Sequence, residues 1–459
     1  MRVRILSAQI ENFRNVSYGE INFPHSEDPF TLQSDVLGIY GQNGSGKTTF
    51  IYVLEILQCL LSGQPLRDEI NDGITCGANE AKLCFEFSVE DKLGIRFRAV
   101  YSAQLGQDYL NETMKASVFQ NGAWSRLNDI LASNSSDTEH TVRPSTMLNK
   151  LFSKSTKVLN ELRVAKILCA KEHRSLLFSN ELLRLMRQGS GDTIWLSMFS
   201  ALRHYAITDF FVINNHNTGL ISMDAALPLN FRTSSALGRF ALPLDKPIVL
   251  PEDIHEVVHQ VIDTINYVLR EIIPGMEIGI KDLGTELMED GNTGIRIQLV
   301  RNHKNPDTGK STSLPLKYES EGIKKIISIL HLFISAYNNP GITLAVDELD
   351  SGIYEYLLGE LLHIMQNSGK GQLLFTSHNL RPLEMLNCNS IIFTTTNPKN
   401  RYVRMSSIRN SNNLRLRYYR DITLGRDSGE ELYEETNSIE IAHAMRKIGI
   451  ISRKQAGDD

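Results

Sequence analysis

The sequence predicts an α/β fold, in which a mixed sheet surrounds a phosphate-binding loop and a helical insertion separates two motif-bearing halves. The first observation is a glycine-rich segment, 41–48, between an apolar strand and a helical pattern. The second is an acidic pair, Asp347 and Glu348, at the end of an apolar strand. The third is a further apolar strand that ends in Ser377 and His378. In parallel sheets the carboxyl ends of such strands meet at one edge and form a site.

The segment 41–48 reads GQNGSGKT and matches the motif G-x-x-x-x-G-K-[ST] at every required position. Its glycines allow backbone N–H groups to surround phosphate oxygens, and the following helix adds the positive end of its dipole. Lys47 then reaches the β- and γ-phosphates, while the Thr48 hydroxyl binds Mg²⁺. A chance glycine-rich turn would not explain both flanking elements, so we expect a bound nucleoside triphosphate. The expected binding residues are Gly41, Asn43, Gly44, Ser45, Gly46, Lys47, Thr48 and Thr49.

The acidic pair follows the apolar run 342–346. In phosphate-loop enzymes the first carboxylate holds Mg²⁺, usually through water, and the second polarises the water that attacks the γ-phosphate. An acidic pair also occurs by chance at a strand end, but the phosphate loop upstream favours the functional interpretation. We therefore expect Asp347 and Thr48 at the metal, and Glu348 as a catalytic residue.

His378 follows the next apolar strand, thirty residues after the acidic pair. A lone histidine in such a place is more often an ordinary surface residue of a loop. After a second core strand, however, it lies at the carboxyl edge of a parallel sheet, beside the expected γ-phosphate. There an imidazole could sense phosphate or orient the water, so we expect His378 to be catalytic.

Between the two halves of the site, Ser320, Glu321 and Gly322 open a strongly apolar and therefore buried helix. Ser320 suits an N-cap, which is the simpler interpretation. A helix N-terminus that carries serine, glycine and two lysines, Lys324 and Lys325, also makes an anion site. Both interpretations remain open from the sequence.

The chain has 459 residues, enough for two or three domains or for one large domain with an insertion. We expect an N-terminal lobe with the phosphate loop at 1–125 and a mainly helical insertion at 126–275. A C-terminal lobe with the remaining motifs follows at 276–400, and a basic strand with an acidic tail at 401–459. No heptad repeat persists in the insertion, which excludes a long coiled coil.

Composition restricts the compartment and the partners. The net charge of −5 gives no global basic field, so any contact with nucleic acid must come from a local patch. The five cysteines form no C-x-x-C pair, which indicates reduced thiols without a disulfide framework or zinc site. No apolar run approaches the ~18 residues of a membrane span. We therefore expect a cytoplasmic protein with no membrane contact.

The segment 401–420 holds six arginines and no acid, with Tyr402, Tyr418 and Tyr419 among them. A basic, aromatic stretch can contact phosphates and stack bases, so nucleic acid is a possible partner. The alternation in 414–419 fits an ordinary edge strand instead, paired with the acidic tail or with a partner. The sequence leaves both alternatives open.

Together these motifs resemble the ABC-type ATPase head shared by SMC proteins, RecF and the overcoming-lysogenisation-defect ATPases. The matching stretches cover 1–62 and 315–400, about a third of the chain. They are an RecF-like opening IENFRN at 10–15, the phosphate loop, a divergent signature SEGIKK at 320–325, the acidic motif and D-loop DELD at 347–350, and a switch histidine in TSH at 376–378.

The resemblance implies an ATPase that acts on ATP with Mg²⁺ as a homodimer or higher homo-oligomer. Each ATP would lie between Lys47 of one subunit and Ser320 and Gly322 of the other. Asp350 would couple the two sites, and Arg14 occupies the family position expected near the nucleotide.

Three departures from the family pattern matter. Glu321 stands at the second position of the signature, where the family has glycine, which implies a lower dimer affinity or rate. The Q-loop glutamine has no clear counterpart, Gln104 being the candidate. The coiled coil and zinc hook of the DNA-repair relatives are replaced by the helical insertion.

The resemblance extends to the compact ATPase subunits of the PARIS and Septu anti-phage systems. It implies an ATPase of bacterial anti-phage defence that controls a separately encoded effector, often a nuclease. The alternative is a RecF- or SMC-like ATPase of DNA recombination or repair that clamps DNA. A transporter ATPase is disfavoured by the opening motif and by the long insertion.

Overall fold

A computed structural model describes most of the chain and confirms the α/β prediction. The described residues are 1–25, 27–135, 137, 141–152, 155–189, 193–214, 226–232, 237–288, 291–304, 311–404, 414–424, 431–433 and 437–456. The strands within them are β1 (Arg2–Phe13), β2 (Val16–Asn22), β3 (Asp35–Tyr40), β4 (Glu80–Glu90), β5 (Arg96–Gly106), β6 (Leu110–Gln120), β7 (Ala123–Trp124), β8 (Asn128–Asn134), β9 (Phe210–Ile213), β10 (Ala226–Arg232), β11 (Leu237–Pro243), β12 (Ile248–Leu250), β13 (Glu277–Leu287), β14 (Thr293–Lys304), β15 (Ser311–Pro315), β16 (Thr343–Val346), β17 (Gln372–Thr376), β18 (Ile391–Thr394) and β19 (Tyr402–Val403).

The α-helices in the described part of the chain vary from single turns to about six turns. They are α1 (Lys47–Ser62), α2 (Ser145–Leu151), α3 (Thr156–Lys171), α4 (Asn180–Gln188), α5 (Thr193–Thr208), α6 (Glu252–Ile272), α7 (Glu321–Asn338), α8 (Glu355–Ser368), α9 (Pro382–Met385), α10 (Leu414–Leu424) and α11 (Ser438–Ala456). Among those that the structure describes, no helix has both the length and the apolar character needed to cross a bilayer.

A six-stranded sheet of order β19-β18-β3-β17-β16-β9 carries the motifs. Its neighbouring strands are parallel, except that β19 runs antiparallel to β18. All six residues of β3 are buried, with Leu37 and Ile39 in one apolar cluster and Val36 and Tyr40 in another. Because a parallel strand covered on both faces has little freedom to move, β3 holds the loop that follows it in place.

A seven-stranded antiparallel sheet packs on the other side of α1. Within it β1 pairs with β2 and β4 pairs with β5. A hairpin turn at Asn121 and Gly122 joins β6 to β7. Both residues have positive φ, 52° and 79°, which is the backbone that a tight hairpin turn requires.

The segment 126–275, expected to be mainly helical, contains α2 to α6. It also contains strands β8 to β12. One of these, β9, pairs in parallel with β16 and so belongs to the sheet that carries the motifs. The expected division of the chain at 125, 275 and 400 stays a prediction.

The predicted strand over 414–419 is wrong, because these residues begin helix α10. Leu414 and Tyr418, four residues apart, are only 5% and 8% exposed, while Leu416 is 67% exposed. A strand would place all three on one face, whereas a helix buries the first and third alone. The rest of the basic stretch and most of the acidic tail lie outside the described residues, at 405–413, 425–430 and 434–436.

A buried ionic network joins β1, β3 and β17 at the edge of the sheet remote from the motifs. The Arg4 guanidinium donates to Asp35 Oδ2 at 2.8 Å, and both side chains are almost fully buried. Gln372 donates to the same oxygen at 3.0 Å, and His25 contacts the other at 2.8 Å. Burial acts to raise the pKa of Asp35, but the His25 contact and the Arg4 charge outweigh it and lower that pKa.

We expect Asp35→Asn to lower the free energy of unfolding by roughly 3–5 kcal/mol, because it leaves a buried guanidinium without its counter-charge. Urea unfolding at neutral pH measures the change. The control is Asp129→Asn, which removes an exposed partner of Lys115 and should cost less than about 1 kcal/mol. Equal losses in the two variants would contradict the role given to Asp35.

Candidate functional site

The carboxyl ends of three parallel strands bring the predicted motifs to one edge of the sheet. β17 lies between β3 and β16, with Thr376 beside Ile39 and Phe375 beside Val346. The phosphate loop leaves β3, the acidic pair leaves β16, and the segment with His378 leaves β17. Residues more than 300 positions apart in sequence therefore meet at this edge.

Three glycines of the phosphate loop have positive φ. Gly46 is the residue before α1 and has φ of 101°, and Gly44 at the exposed tip beside Asn43 has φ of 77°. Gly41 has φ of 154°, and an added Cβ there would also lie 1.8 Å from Thr394 Oγ1. These positions explain why the segment needs glycine for its shape.

Lys47 is directed back over the loop that precedes it. Its ammonium donates to the carbonyl oxygens of Gly41 at 2.8 Å and Gln42 at 3.0 Å. The side chain is only 6% exposed, and burial lowers its pKa although Asp347 and Glu348 act in the opposite direction. The loop thus encloses a buried cation, a charge of the kind that forms strong hydrogen bonds with phosphate.

Side chains from distant parts of the chain support the loop, and the sequence did not reveal them. Asn15 donates to the Gly44 carbonyl and accepts from Thr49 Oγ1 at 3.0 Å. Tyr402 OH donates to the Gly46 carbonyl at 2.8 Å, and the Arg401 guanidinium donates to the Asn15 carbonyl.

On the other side of the loop, Ser45 Oγ donates to the Gln42 carbonyl at 2.5 Å and contacts Thr394 Oγ1. The start of the basic stretch, with Arg401 and Tyr402, therefore belongs to the framework of the phosphate loop. The sequence signal for it was the cluster of arginines and tyrosines in 401–420, which did not indicate this role.

Thr48 and Asp347, which were predicted to share a metal, are in contact. Thr48 Oγ1 donates to Asp347 Oδ1 at 3.4 Å, and Thr376 Oγ1 donates to the same oxygen at 2.5 Å. Asp347 is 2% exposed. A hydroxyl and a carboxylate at this separation are the kind of oxygen ligands that Mg²⁺ takes together with phosphate and water.

Glu348 has a strained backbone, with φ of 46° in the left-handed region that non-glycine residues rarely adopt. Its N–H donates to Thr376 Oγ1 at 2.7 Å. Its carbonyl accepts from the Lys325 ammonium at 2.6 Å and from the Ser351 N–H at 3.0 Å. Strain of this kind, of order 1–3 kcal/mol, persists where surrounding contacts impose it and is frequent at functional sites.

Asp350 and His378 are linked through the backbone. Asp350 Oδ2 accepts from the N–H groups of His378 at 3.1 Å and Asn379 at 3.0 Å. The His378 side chain itself is exposed at the edge of the sheet. The aspartate expected to couple two sites thus contacts the segment that carries the predicted switch histidine.

The start of α7 confirms the N-cap interpretation of Ser320, whose side chain accepts from Ile323 N–H at 3.4 Å. Ser320 and Glu321 are exposed. Gly322 packs on the loop after the acidic motif, since a Cβ there would lie 2.1 Å from the Gly352 carbonyl oxygen. With the Lys325 contact, α7 is therefore joined to that loop at two points.

Two predicted residues lie outside this cluster of contacts. The Arg14 guanidinium stacks on the Tyr52 ring, 3.9 Å from its centroid, next in sequence to Asn15, which supports the loop. Gln104 lies in β5, where its side-chain oxygen accepts from Asn111 at 3.3 Å. The roles expected for these two residues stay predictions.

Several solved structures resemble the chain at low sequence identity. An SMC head bound to the C-winged helix domain of ScpA aligns over 88% of this chain and 97% of that one, with 12% identity and a TM-score of 0.41. The SMC head of Thermotoga maritima aligns over 88% and 100%, with 13% identity and a TM-score of 0.37. The recombination mediator RecF-ATP of the RecFOR pathway aligns over 82% and 94%, with 11% identity and a TM-score of 0.33.

No curated protein matches the chain. A family described as AAA ATPase domain (AAA_15) matches residues 4–381, which span every motif of the site and most of the chain. The prediction of an ATPase is therefore confirmed: the chain belongs to the AAA ATPase domain family.

Proposed function

We propose that this ATPase binds ATP with Mg²⁺ at the edge formed by β3, β16 and β17. The backbone of the phosphate loop surrounds the β-phosphate, and the Lys47 ammonium exchanges its carbonyl acceptors for phosphate oxygens. Phosphate is the stronger acceptor because it is charged. Thr48 and Asp347, whose oxygens lie 3.4 Å apart, hold Mg²⁺ directly or through water.

In the proposed reaction, water attacks the γ-phosphorus in line with the bond to the β-phosphate. Its proton passes to the Glu348 carboxylate, and ADP leaves with the bridging oxygen. His378, exposed beside this edge, contacts the γ-phosphate or the water. The observation that carries this proposal is the convergence of Lys47, Asp347 and Glu348 at the carboxyl ends of β3 and β16, two parallel strands that flank β17.

We further propose that two copies share each site, as the divergent signature implies. The exposed N-terminus of α7, with Ser320 and Gly322, presents N–H groups and a positive dipole end to the phosphates of the second copy. The same helix holds the Glu348 carbonyl through Lys325. Binding across the interface can therefore adjust the catalytic carboxylate of the copy that supplies the signature.

The biological role that we propose is control of a separately encoded effector, such as a nuclease, in anti-phage defence. Its support is the resemblance to compact heads of that kind, in which ATP-driven association changes the surface offered to a partner. The DNA-clamp alternative gains little from α10, because its arginines lie beside acids. Arg415 pairs with Glu384 at 2.9 Å, and Asp421 lies 3.6 Å from Arg420.

Lys325→Met should lower kcat by about 10–100-fold, while the affinity for ATP changes less than about twofold. The reason is that a charged hydrogen bond of ~1.5–3 kcal/mol to the Glu348 carbonyl is lost, whereas the phosphate loop is untouched. Steady-state ATPase rates and calorimetry separate the two effects. Lys82→Met on β4, outside the site, is the control, and a matching loss in both variants would contradict the positioning role.

Glu348→Gln should bind ATP normally and slow hydrolysis by about 10²–10⁴-fold, because only the group that takes the proton is removed. An ATPase assay measures the rate of hydrolysis.

The same assay on the wild type with added duplex DNA tests the clamp alternative. The wild-type rate should not respond to DNA, and stimulation would favour the clamp.

The control for Glu348→Gln is Glu355→Gln in the exposed first turn of α8, which should keep the full rate. A wild-type rate in Glu348→Gln would move the catalytic role elsewhere, with His378 as the next candidate.

Mixing inactive Lys47→Ala with inactive Ser320→Arg should restore about a quarter of the wild-type rate. At equal amounts, half of the freely exchanging dimers are mixed, and each has one site with both lesions and one with neither. The measurement is the ATPase rate against mixing ratio, with subunit exchange shown by a fluorescent label.

In the control for this mixture, the double variant Lys47→Ala/Ser320→Arg replaces Ser320→Arg, so every site is damaged and no rate should appear. Exchange without recovery in the first mixture would contradict the shared site.

A further inference from the structure

Two imidazoles and a carboxylate meet on the surface formed by α6 and β13, outside the nucleotide site. His255 and His259 lie four residues apart on α6, which places them on one face of the helix. Asp282 lies on β13. The candidate ligand atoms of these three side chains all lie within 4.8 Å of one another.

The local fold explains why these residues meet. The chain reverses after α6, and Asn266 fixes the register by bonding to both the N–H and the carbonyl of Ile278 at 2.8 Å. From there Asp282 lies ~13 Å along the strand, at 3.3 Å per residue. His259 and His255 lie ~10 and ~16 Å back along the helix, at 1.5 Å per residue. The carboxylate is thus level with the gap between the two imidazoles.

The strand also directs Asp282 towards the helix. Ile278, Ile280 and Asp282 alternate along β13 and share one face, and both isoleucines pack in the cluster that contains α6. Directly after Asp282 the pairing with β14 shifts by a β-bulge, and Gly284 has φ of 115°. Bulges change the direction of side chains and are frequent next to sites.

The distances suit a tetrahedral metal ion. Ligands at 2.0–2.1 Å from Zn²⁺ lie ~3.3 Å from each other. His255 Nε2 and Asp282 Oδ1 are 3.3 Å apart, which is that separation. The His255 and His259 rings are 4.6 Å apart between centroids. His259 is exposed, so a rotation of its side chain can bring its nitrogen to the metal.

An ordinary ion pair would account for His255 and Asp282 but not for the second imidazole. A divalent cation bound by two imidazoles and a carboxylate accounts for all three side chains together. Imidazole ligands select zinc-like transition metals and not Mg²⁺, so the site is chemically distinct from the nucleotide site.

We propose that His255, His259 and Asp282 bind a divalent transition metal ion such as Zn²⁺, which clamps α6 to β13. The ligand set needs no cysteine and leaves a fourth position for water or for a ligand from outside this chain. Asp282 is 60% exposed and His255 16% exposed on their side chains, so the ion can enter from solvent.

Zinc binding to the full chain without a polyhistidine tag tests the proposal. After treatment with a chelator, calorimetry with Zn²⁺ alone should show one site that His259→Ala and Asp282→Asn each weaken by more than about 100-fold. Mutation of a residue that only supports a metal ligand costs about 10–100-fold in metal affinity, so loss of a ligand itself should cost at least as much. Co²⁺ titration of the same proteins should give the absorption of a tetrahedral centre in the wild type only.

The matched controls are His443→Ala, an exposed histidine on α11, and Asp347→Asn at the nucleotide site. Neither should change the affinity of the His255 site for Zn²⁺, and circular dichroism should show that every variant is folded. The proposal is overturned if the wild type binds no Zn²⁺. It is equally overturned if both His259→Ala and Asp282→Asn, once shown to be folded, bind it as the wild type does.

Discussion

The hydroxyl of Thr376 is the contact on which the geometry of the site depends. It donates to Asp347 Oδ1 at 2.5 Å and accepts from the Glu348 N–H at 2.7 Å, while the Thr376 carbonyl accepts from Leu349 N–H at 3.0 Å. One residue at the end of β17 thereby fixes three successive residues after β16. The strained φ of Glu348 persists because breaking these contacts between buried strand ends would cost more free energy than relief of the strain would release.

The loop that follows β16 also joins α7 to the segment that carries His378. Lys325 of α7 holds the Glu348 carbonyl, Gly322 packs on the carbonyl of Gly352, and Asp350 accepts from the backbone that carries His378. Movement of α7 therefore has a direct mechanical path to the backbone of Glu348. Since packed contacts have few alternative arrangements, a small shift at one end should be transmitted and not absorbed.

The phosphate loop owes its shape to both ends of the chain. Asn15 comes from the first hairpin, whereas Arg401 and Tyr402 lie at the start of β19, nearly 400 residues later. Asn15 and Tyr402 bond to the loop, and Arg401 bonds to the carbonyl of Asn15. The set of contacts that supports the loop around Lys47 is therefore complete only when β19 is paired in the sheet. This dependence places the start of the basic stretch in the nucleotide site, and α10 continues it as a helix packed through Leu414 and Tyr418.

The sequence by itself determined the parts whose signal is local. The phosphate loop between strand and helix, the acidic pair after β16, and the N-cap at Ser320 each rest on neighbouring residues, and the structure places them as predicted. Tertiary structure alone decided which distant polar groups support them, such as Asn15 and Lys325, because no spacing rule links such residues. Tertiary structure also decided that 414–419 is helical. The short alternation of apolar and polar residues there fits a strand or a helix, and only the burial of side chains four residues apart distinguishes the two.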